Sequence, residues 1–224
     1  MKIYAHRGSS GNNPEMTKSA YLAAISDGAD GFECDVRLTK DREIACIHDR
    51  DTSRISGIKL KVSRSKLKAL KKSAPIITLN ELLDIAIKNR RDLLIETKHP
   101  VLTRGAIERK VSALLDAKAD EIKNSGIEVI CMSFSWFAVR RFKKVGKSCT
   151  VSKYYWQVWF SQTQNIAISI ELLTKYPKLV NRLKHRGKRI FVWTVNSLDQ
   201  IALCREFGVD GVITNYPERA KTNG

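Results

Sequence analysis

Residues 31–49 read GFECDVRLTKDREIACIHD. Gly31–Val36 and Ile44–Ile47 are short apolar runs of strand composition, and both are interrupted or closed by ionisable residues. Glu33 and Asp35 are two apart, so on a strand both point to one face while Cys34 points to the other. Two carboxylates on one buried face repel, and each raises the other's pKa unless a cation lies between them.

Further runs of the same kind continue on both sides. Ile3–Ala5 precedes them, and Leu93–Glu96, Glu128–Ser133, Thr150–Ser152, Ile190–Val195 and Gly211–Ile213 follow. Helical signals separate them. Ala20–Ser26 is alanine-rich. Thr78 and Glu81 have capping-box spacing before LLDIAI, and Ser197 and Gln200 repeat that spacing before the last full helix. Between Thr103 and Lys123, Ile107, Val111, Leu114, Leu115 and Ile122 share one helical face. Phe134–Val145 and Lys175–Lys184 complete the set. The link after Ile44–Ile47 is long and is expected to hold a short extra helix around Lys66–Lys71. Eight strands alternating with helices predict a parallel sheet, closed as a single (β/α)8 barrel with a short insertion after the third strand. An open, doubly wound sheet is the other architecture that this alternation allows.

In such folds chemistry collects at the carboxyl ends of the strands. There the sequence has Ala5-His6-Arg7-Gly8, then Glu33-Cys34-Asp35, His48-Asp49 and Glu96-Thr97-Lys98. Three hard carboxylates, Glu33, Asp35 and Glu96, suit one Mg²⁺ or Ca²⁺ ion, with Mn²⁺ also compatible, and would not make a thiolate zinc site. Arg7 and Lys98 beside a divalent cation would hold a phosphate group. His6 and His48 could then act as general acid and base, in either order.

The composition agrees with a folded chain of 224 residues, 43% hydrophobic and 28% charged, which excludes a disordered polymer. Its net charge of +17 points to an anionic substrate or surface. Five cysteines cannot all pair within one chain and form no CxxC; Cys34, Cys46 and Cys131 sit inside apolar runs and read as buried thiols, which suggests a reducing compartment. The opening MKIYAHRG has no secretory pattern, and no apolar stretch approaches about 18 residues. A soluble, cytoplasmic protein is the expectation.

The block AHRGSSGNNPEMTKSAYLAAISDGADGFECDVRLTKDREIACIHDRDTSRISG, followed by LLIETK, Ser133-Phe134, VWTVN and DGVITNYP, resembles the glycerophosphodiester phosphodiesterase family across the chain. The resemblance implies a single catalytic domain over residues 1–224 that splits glycerophosphodiesters into an alcohol and glycerol 3-phosphate. It implies catalysis by His6 and His48, metal ligation by Glu33, Asp35 and Glu96, and phosphate contact by Arg7 and Lys98. Trp193 matches an aromatic residue at the pocket mouth, and Glu15 and Asn196 are carried over as substrate-side residues. Related lipid phosphodiesterases share the histidine pair, so lysophospholipids, or a cyclic phosphate formed by a substrate hydroxyl, are alternatives. The family asparagine after Pro-Glu is Met16 here, the usual glycine after T-x-D is Arg42, and the closing aspartate is Asn215.

Lys59–Lys72, Arg140–Lys147 and Arg182–Arg189 are basic runs. They read as solvated faces, with Leu67 and Leu70 turned inward, or as attraction to an anionic lipid surface. Without interleaved aromatics they are poor platforms for nucleic acid. A non-catalytic basic binding module is the competing class, and the retained acid–base set argues against it. Trp156 and Trp159 in YYWQVWF read as core aromatics, with the pocket wall or a partner surface as the alternative.

Overall fold

The computed structural model describes residues 1–99, 105–142 and 147–221. Nine strands form: β1 (Lys2–His6), β2 (Gly31–Leu38), β3 (Ile44–Cys46), β4 (Asp92–Thr97), β5 (Val129–Ser133), β6 (Lys147–Ser152), β7 (Asn165–Ser169), β8 (Arg189–Trp193) and β9 (Gly211–Thr214). Eight of them are parallel and run in the order β1-β9-β8-β7-β6-β5-β4-β2, and β1–β2 pairing closes the ring. The fold is a (β/α)8 barrel, as the alternation predicted.

One of the expected eight leaves the ring, and a strand outside the expected set takes its place. Ile44–Cys46 pairs antiparallel with β2 and lies outside the ring. The reason is chain length: five residues separate it from β2, whereas a parallel return needs a crossover of about a dozen or more. The eighth barrel strand is Asn165–Ser169, which the sequence reading passed over. It runs straight into helix Ile170–Lys175, capped by the Ser169 side chain, so NIAISIELL presents one apolar run with no break between strand and helix.

Alternation along the strands builds the interior. Tyr4, Leu94, Ile130, Met132, Cys149, Val151, Ala167, Phe191 and Ile213 pack as one buried cluster inside the ring. Tyr4 and Phe191 meet edge-to-face at 5.6 Å. A side chain at Gly31 would approach the Tyr4 ring to 2.7 Å, so glycine there lets the ring fill the interior. Outside the ring, two larger clusters cement the helices, one against the β2–β4 half and one against the β7–β9 half.

Both predicted capping boxes form, at Thr78/Glu81 and at Ser197/Gln200. The long link after β3 holds helix Leu67–Ser73, with Leu70 buried and Leu67 partly so. The single helix expected over Thr103–Lys123 is two, Ala106–Ala117 and Ala119–Ser125, and Thr103 and Arg104 lie outside the described residues. The Lys175–Lys184 segment divides at Pro177, which precedes helix Lys178–His185 because proline suits a helix start. Of the Phe134–Val145 helix, Trp136–Phe142 is helical and residues 143–145 lie outside the described residues. All five cysteines are free and buried. Trp156 and Trp159 are not core residues. Helix Tyr155–Trp159 is too short to bury more than one face and buries only Val158, leaving Trp156 61% exposed. No helix among the described residues is long and apolar enough to cross a membrane.

Candidate active site

The site is built by register. His6 pairs with Glu33 across β1–β2, and Asp35 pairs with Glu96 across β2–β4. Strand parity turns all four toward the barrel axis, above the apolar interior. Lys98 follows β4 with the same parity. His48 arrives by a different route. The antiparallel hairpin carries the chain back along β2, Ile47 donates its N–H to the Asp35 carbonyl (2.9 Å), and Arg37 Nε donates to the His48 carbonyl (2.8 Å). The hairpin strand β3, which has barrel-strand composition, therefore positions a histidine next to Asp35.

His6, Arg7, Glu33, His48, Glu96, Lys98 and Trp193 line one cleft of about 260 Å³. Asp35 lies at its floor, 1% exposed. Lys98 Nζ is 2.6 Å from Glu96 and 3.2 Å from Asp35. Arg7 Nε is 2.8 Å from Asp35 Oδ2, a contact too poorly aligned to be a hydrogen bond. Glu15 stands behind Arg7, 3.2 Å away, and is gripped from outside by Arg54. It faces a neighbouring cavity rather than the cleft. Asn196 is also outside the cleft lining. Its Oδ1 accepts from the Asn215 N–H (2.9 Å) and so braces the loop after β9.

The two histidines have different partners. His6 Nδ1 donates to Asn215 Oδ1 at 2.7 Å, which leaves Nε2 aimed at Glu33, 3.8 Å away. His48 Nδ1 donates to the Asp49 carboxylate at 2.8 Å. Burial, helped by Arg7, pushes the His6 pKa down to about 4. Burial also lowers His48, with Arg7 adding to the effect, while Asp35 and Asp49 oppose it.

Glu33, Asp35 and Glu96 each offer an oxygen, and these oxygens lie within 4.8 Å of one another. Burial and Asp35 raise Glu33 well above the ordinary carboxylate range, and the same causes raise Glu96 to about 7. Burial would raise Asp35 too, but Arg7 and Lys98 hold it below its usual value. Glu33 Oε2 and Asp35 Oδ2 are buried without an aligned hydrogen-bond partner. Three hard oxygen donors, two of them orphaned, form a set that a divalent cation would satisfy.

Sequence reasoning missed Phe134, Met132, Val151 and Lys153 in the cleft wall. Phe134 and Lys153 are each the first residue beyond a barrel strand, and that position alone could have marked them. Two of the noted departures have a conformational cost. Met16 (φ +54°) and Arg42 (φ +66°) both occupy the left-handed region, which asparagine and glycine tolerate better. The third places a neutral amide, Asn215, against His6.

The sequence pattern of the Glycerophosphoryl diester phosphodiesterase family matches residues 6–219. A curated relative from Caldanaerobacter subterraneus subsp. tengcongensis, named glycerophosphodiester phosphodiesterase, is 31% identical, with 96% of this chain and 94% of that protein aligned. Among solved structures, a glycerophosphodiester phosphodiesterase from Thermotoga maritima is 25% identical with a TM-score of 0.80, covering 96% of this chain and 95% of that one. An Oleispira antarctica phosphodiesterase, solved with the product sn-glycerol-3-phosphate, shares the fold at 21% identity and a TM-score of 0.80, over 99% of this chain and 96% of that one.

Proposed function

The chain belongs to the glycerophosphoryl diester phosphodiesterase family, and on that premise we propose that it is a single catalytic unit hydrolysing glycerophosphodiesters to an alcohol and glycerol 3-phosphate. The observation that carries the reading is the convergence in one cleft of three buried carboxylates, two histidines and two cations. The product named for the Oleispira antarctica barrel is the one this reaction would leave.

Glu33, Asp35 and Glu96 would hold one divalent cation, Mg²⁺ or Ca²⁺ by donor chemistry, with Mn²⁺ compatible. When bound, it would supply positive charge to the phosphodiester oxygens. The residues of the chain supply the rest. Arg7 and Lys98 add fixed positive charge beside the carboxylates, where it stabilises the extra negative charge that develops as the phosphorus is attacked. Glu15 and Arg54 keep Arg7 oriented. His6 is the base. Asn215 holds its proton on Nδ1, burial keeps it neutral, and Nε2 is free to accept a proton from the attacking water. His48 is the acid. Asp35 and Asp49 oppose the lowering of its pKa by burial and so support the protonated ring that would give a proton to the departing alkoxide. Trp193 and Phe134, edge-to-face at 5.5 Å, wall the side of the cleft.

Release of glycerol 3-phosphate from glycerophosphocholine, glycerophosphoethanolamine and glycerophosphoglycerol tests the reading. Turnover of at least one by the intact chain, and a rate about 10²- to 10⁴-fold lower in His6→Ala, is the expected result. Equal turnover by His6→Ala would refute the assignment of the base. No turnover of any diester with any divalent metal would refute the reaction.

A further inference from the structure

Residues 129–170 contain six Lys and Arg and no Asp or Glu, and nine of the chain's seventeen aromatic residues fall there. The stretch spans β5, β6 and β7. The loops after β5 and β6 leave the carboxyl ends of adjacent, hydrogen-bonded strands, so they stand side by side at the mouth of the cleft. Phe134 and Lys153, the first residues of the two loops, line the cleft itself.

Beyond those two, the loops turn their aromatic rings to solvent. Trp136 is 42% exposed, Phe137 67%, Tyr154 55% and Trp156 61%. The core does not need them, since the buried members of these segments are Ala138, Val139, Phe142 and Val158. Cations sit among the rings. Arg140 lies over the Trp136 ring at 5.4 Å, and Lys153 is exposed between the cleft and Tyr154.

Exposed indole and phenyl rings on a soluble fold carry a hydration cost that a partner would remove. Amphipathic rings settle at the headgroup level of a bilayer, and each nearby Lys or Arg adds attraction to an anionic leaflet. A single-stranded nucleic acid also pairs rings with cations, but it would need the rings along a groove. Trp136, Phe137, Tyr154 and Trp156 stand outside the wall of the cleft.

We propose that this rim docks the protein on the surface of an anionic phospholipid bilayer. The rings of Trp136, Phe137, Tyr154 and Trp156 sit at headgroup level, with Arg140 and Lys153 against lipid phosphates. The cleft then opens toward the headgroups. Only that last consequence rests on the phosphodiesterase reading.

Co-sedimentation with vesicles of phosphatidylcholine alone, and of phosphatidylcholine with phosphatidylglycerol, measures the docking without turnover. The intact chain partitions onto the anionic vesicles, less so at high salt, with a blue shift of its indole emission. The triple variant Trp136→Ala, Phe137→Ala, Trp156→Ala loses partitioning by about tenfold or more. It still hydrolyses a water-soluble glycerophosphodiester at the rate of the intact chain, which shows that it is folded. A control removing three cations elsewhere, Lys66→Ser, Lys68→Ser and Lys72→Ser, retains most of the binding. The proposal is overturned if the triple variant binds like the intact chain, if the control loses as much, or if the indole emission does not move. Displacement from vesicles by single-stranded RNA that binds more tightly would also overturn it, in favour of a nucleic-acid surface. If the intact chain binds vesicles but hydrolyses no soluble diester, the docking stands and the reaction falls.

Discussion

The barrel carries a charged cluster at each end, and the two differ in how completely they are paired. At the amino end of the strands, Glu128 takes two hydrogen bonds from Arg189 (2.7 and 2.9 Å) and one from Lys147. Asp92 accepts from Lys2, from the Tyr4 hydroxyl and from the Glu128 N–H. Each oxygen of these two carboxylates has a partner, and the hydrogen bonds from Arg189 and Lys147, against the opposing effect of burial, bring the Glu128 pKa down to about 2. At the mouth, Glu33 Oε2 and Asp35 Oδ2 have no aligned partner, and Glu33 and Glu96 are raised. The amino end is finished by the fold, while the mouth leaves carboxylate oxygens without aligned partners. A charged cluster speaks for function when its geometry leaves charges unmet rather than when it is merely dense.

The largest effect that would separate the two ends is on turnover. His6→Ala and His48→Ala should each lower the rate by about 10²- to 10⁴-fold, with little change in the melting temperature. Glu128→Gln should leave turnover within about twofold. Comparable rate losses at both ends would erase the distinction. Steady-state kinetics beside thermal melts reads both quantities.

Stability should respond in the opposite sense. Glu128→Gln gives up charge-assisted hydrogen bonds at a partly exposed site, costing about 1–2 kcal/mol once solvent screening is allowed for. That corresponds to a fall of about 2–8 °C in the melting temperature for a chain of this size. Glu96→Gln, measured in chelator, should cost nothing or raise the melting temperature, because it removes repulsion from Asp35. A clear destabilisation by Glu96→Gln would mean that the mouth is as structural as the amino end.

The smallest effect, and the sharpest, is on pH dependence. Glu128 has a depressed folded pKa, so its contribution is present above its unfolded value of about 4.3 and fades as pH falls toward 2. Glu96 has a raised one, near 7, so its cost is absent below about pH 4.3 and grows as pH rises through 7. In chelator, the intact chain should therefore melt higher at pH 5 than at pH 7.5, and Glu96→Gln should flatten that slope. A slope that the substitution leaves unchanged would place its cause elsewhere.

The contrast between the two ends also marks what the sequence could say. His6, Glu33, Asp35, Glu96 and Lys98 were legible because strand parity and the end-of-strand rule convert spacing directly into position. His48 was legible as a site residue but not by its route, since Ile44–Cys46 has strand composition and only the five-residue link betrays a hairpin. Asn165–Ser169 was hidden because its apolar pattern continues into the next helix. Asn215 was seen as a departure, but its contact with His6 joins residues 209 positions apart, which no local pattern reports. The exposed rings of Trp156 and Trp159 defeated composition for a simple reason. Hydrophobic residues are usually buried, and a short helix at a barrel mouth can bury one face only.

Calorimetric titration of Mg²⁺ or Ca²⁺ into the chelator-stripped chain, followed by turnover of a glycerophosphodiester on the same sample, tests the account most directly. The unmet carboxylates predict one bound cation per chain, a higher melting temperature and the return of hydrolysis, all lost in Glu96→Gln. A stripped chain that binds no cation and hydrolyses the diester at full rate would contradict it.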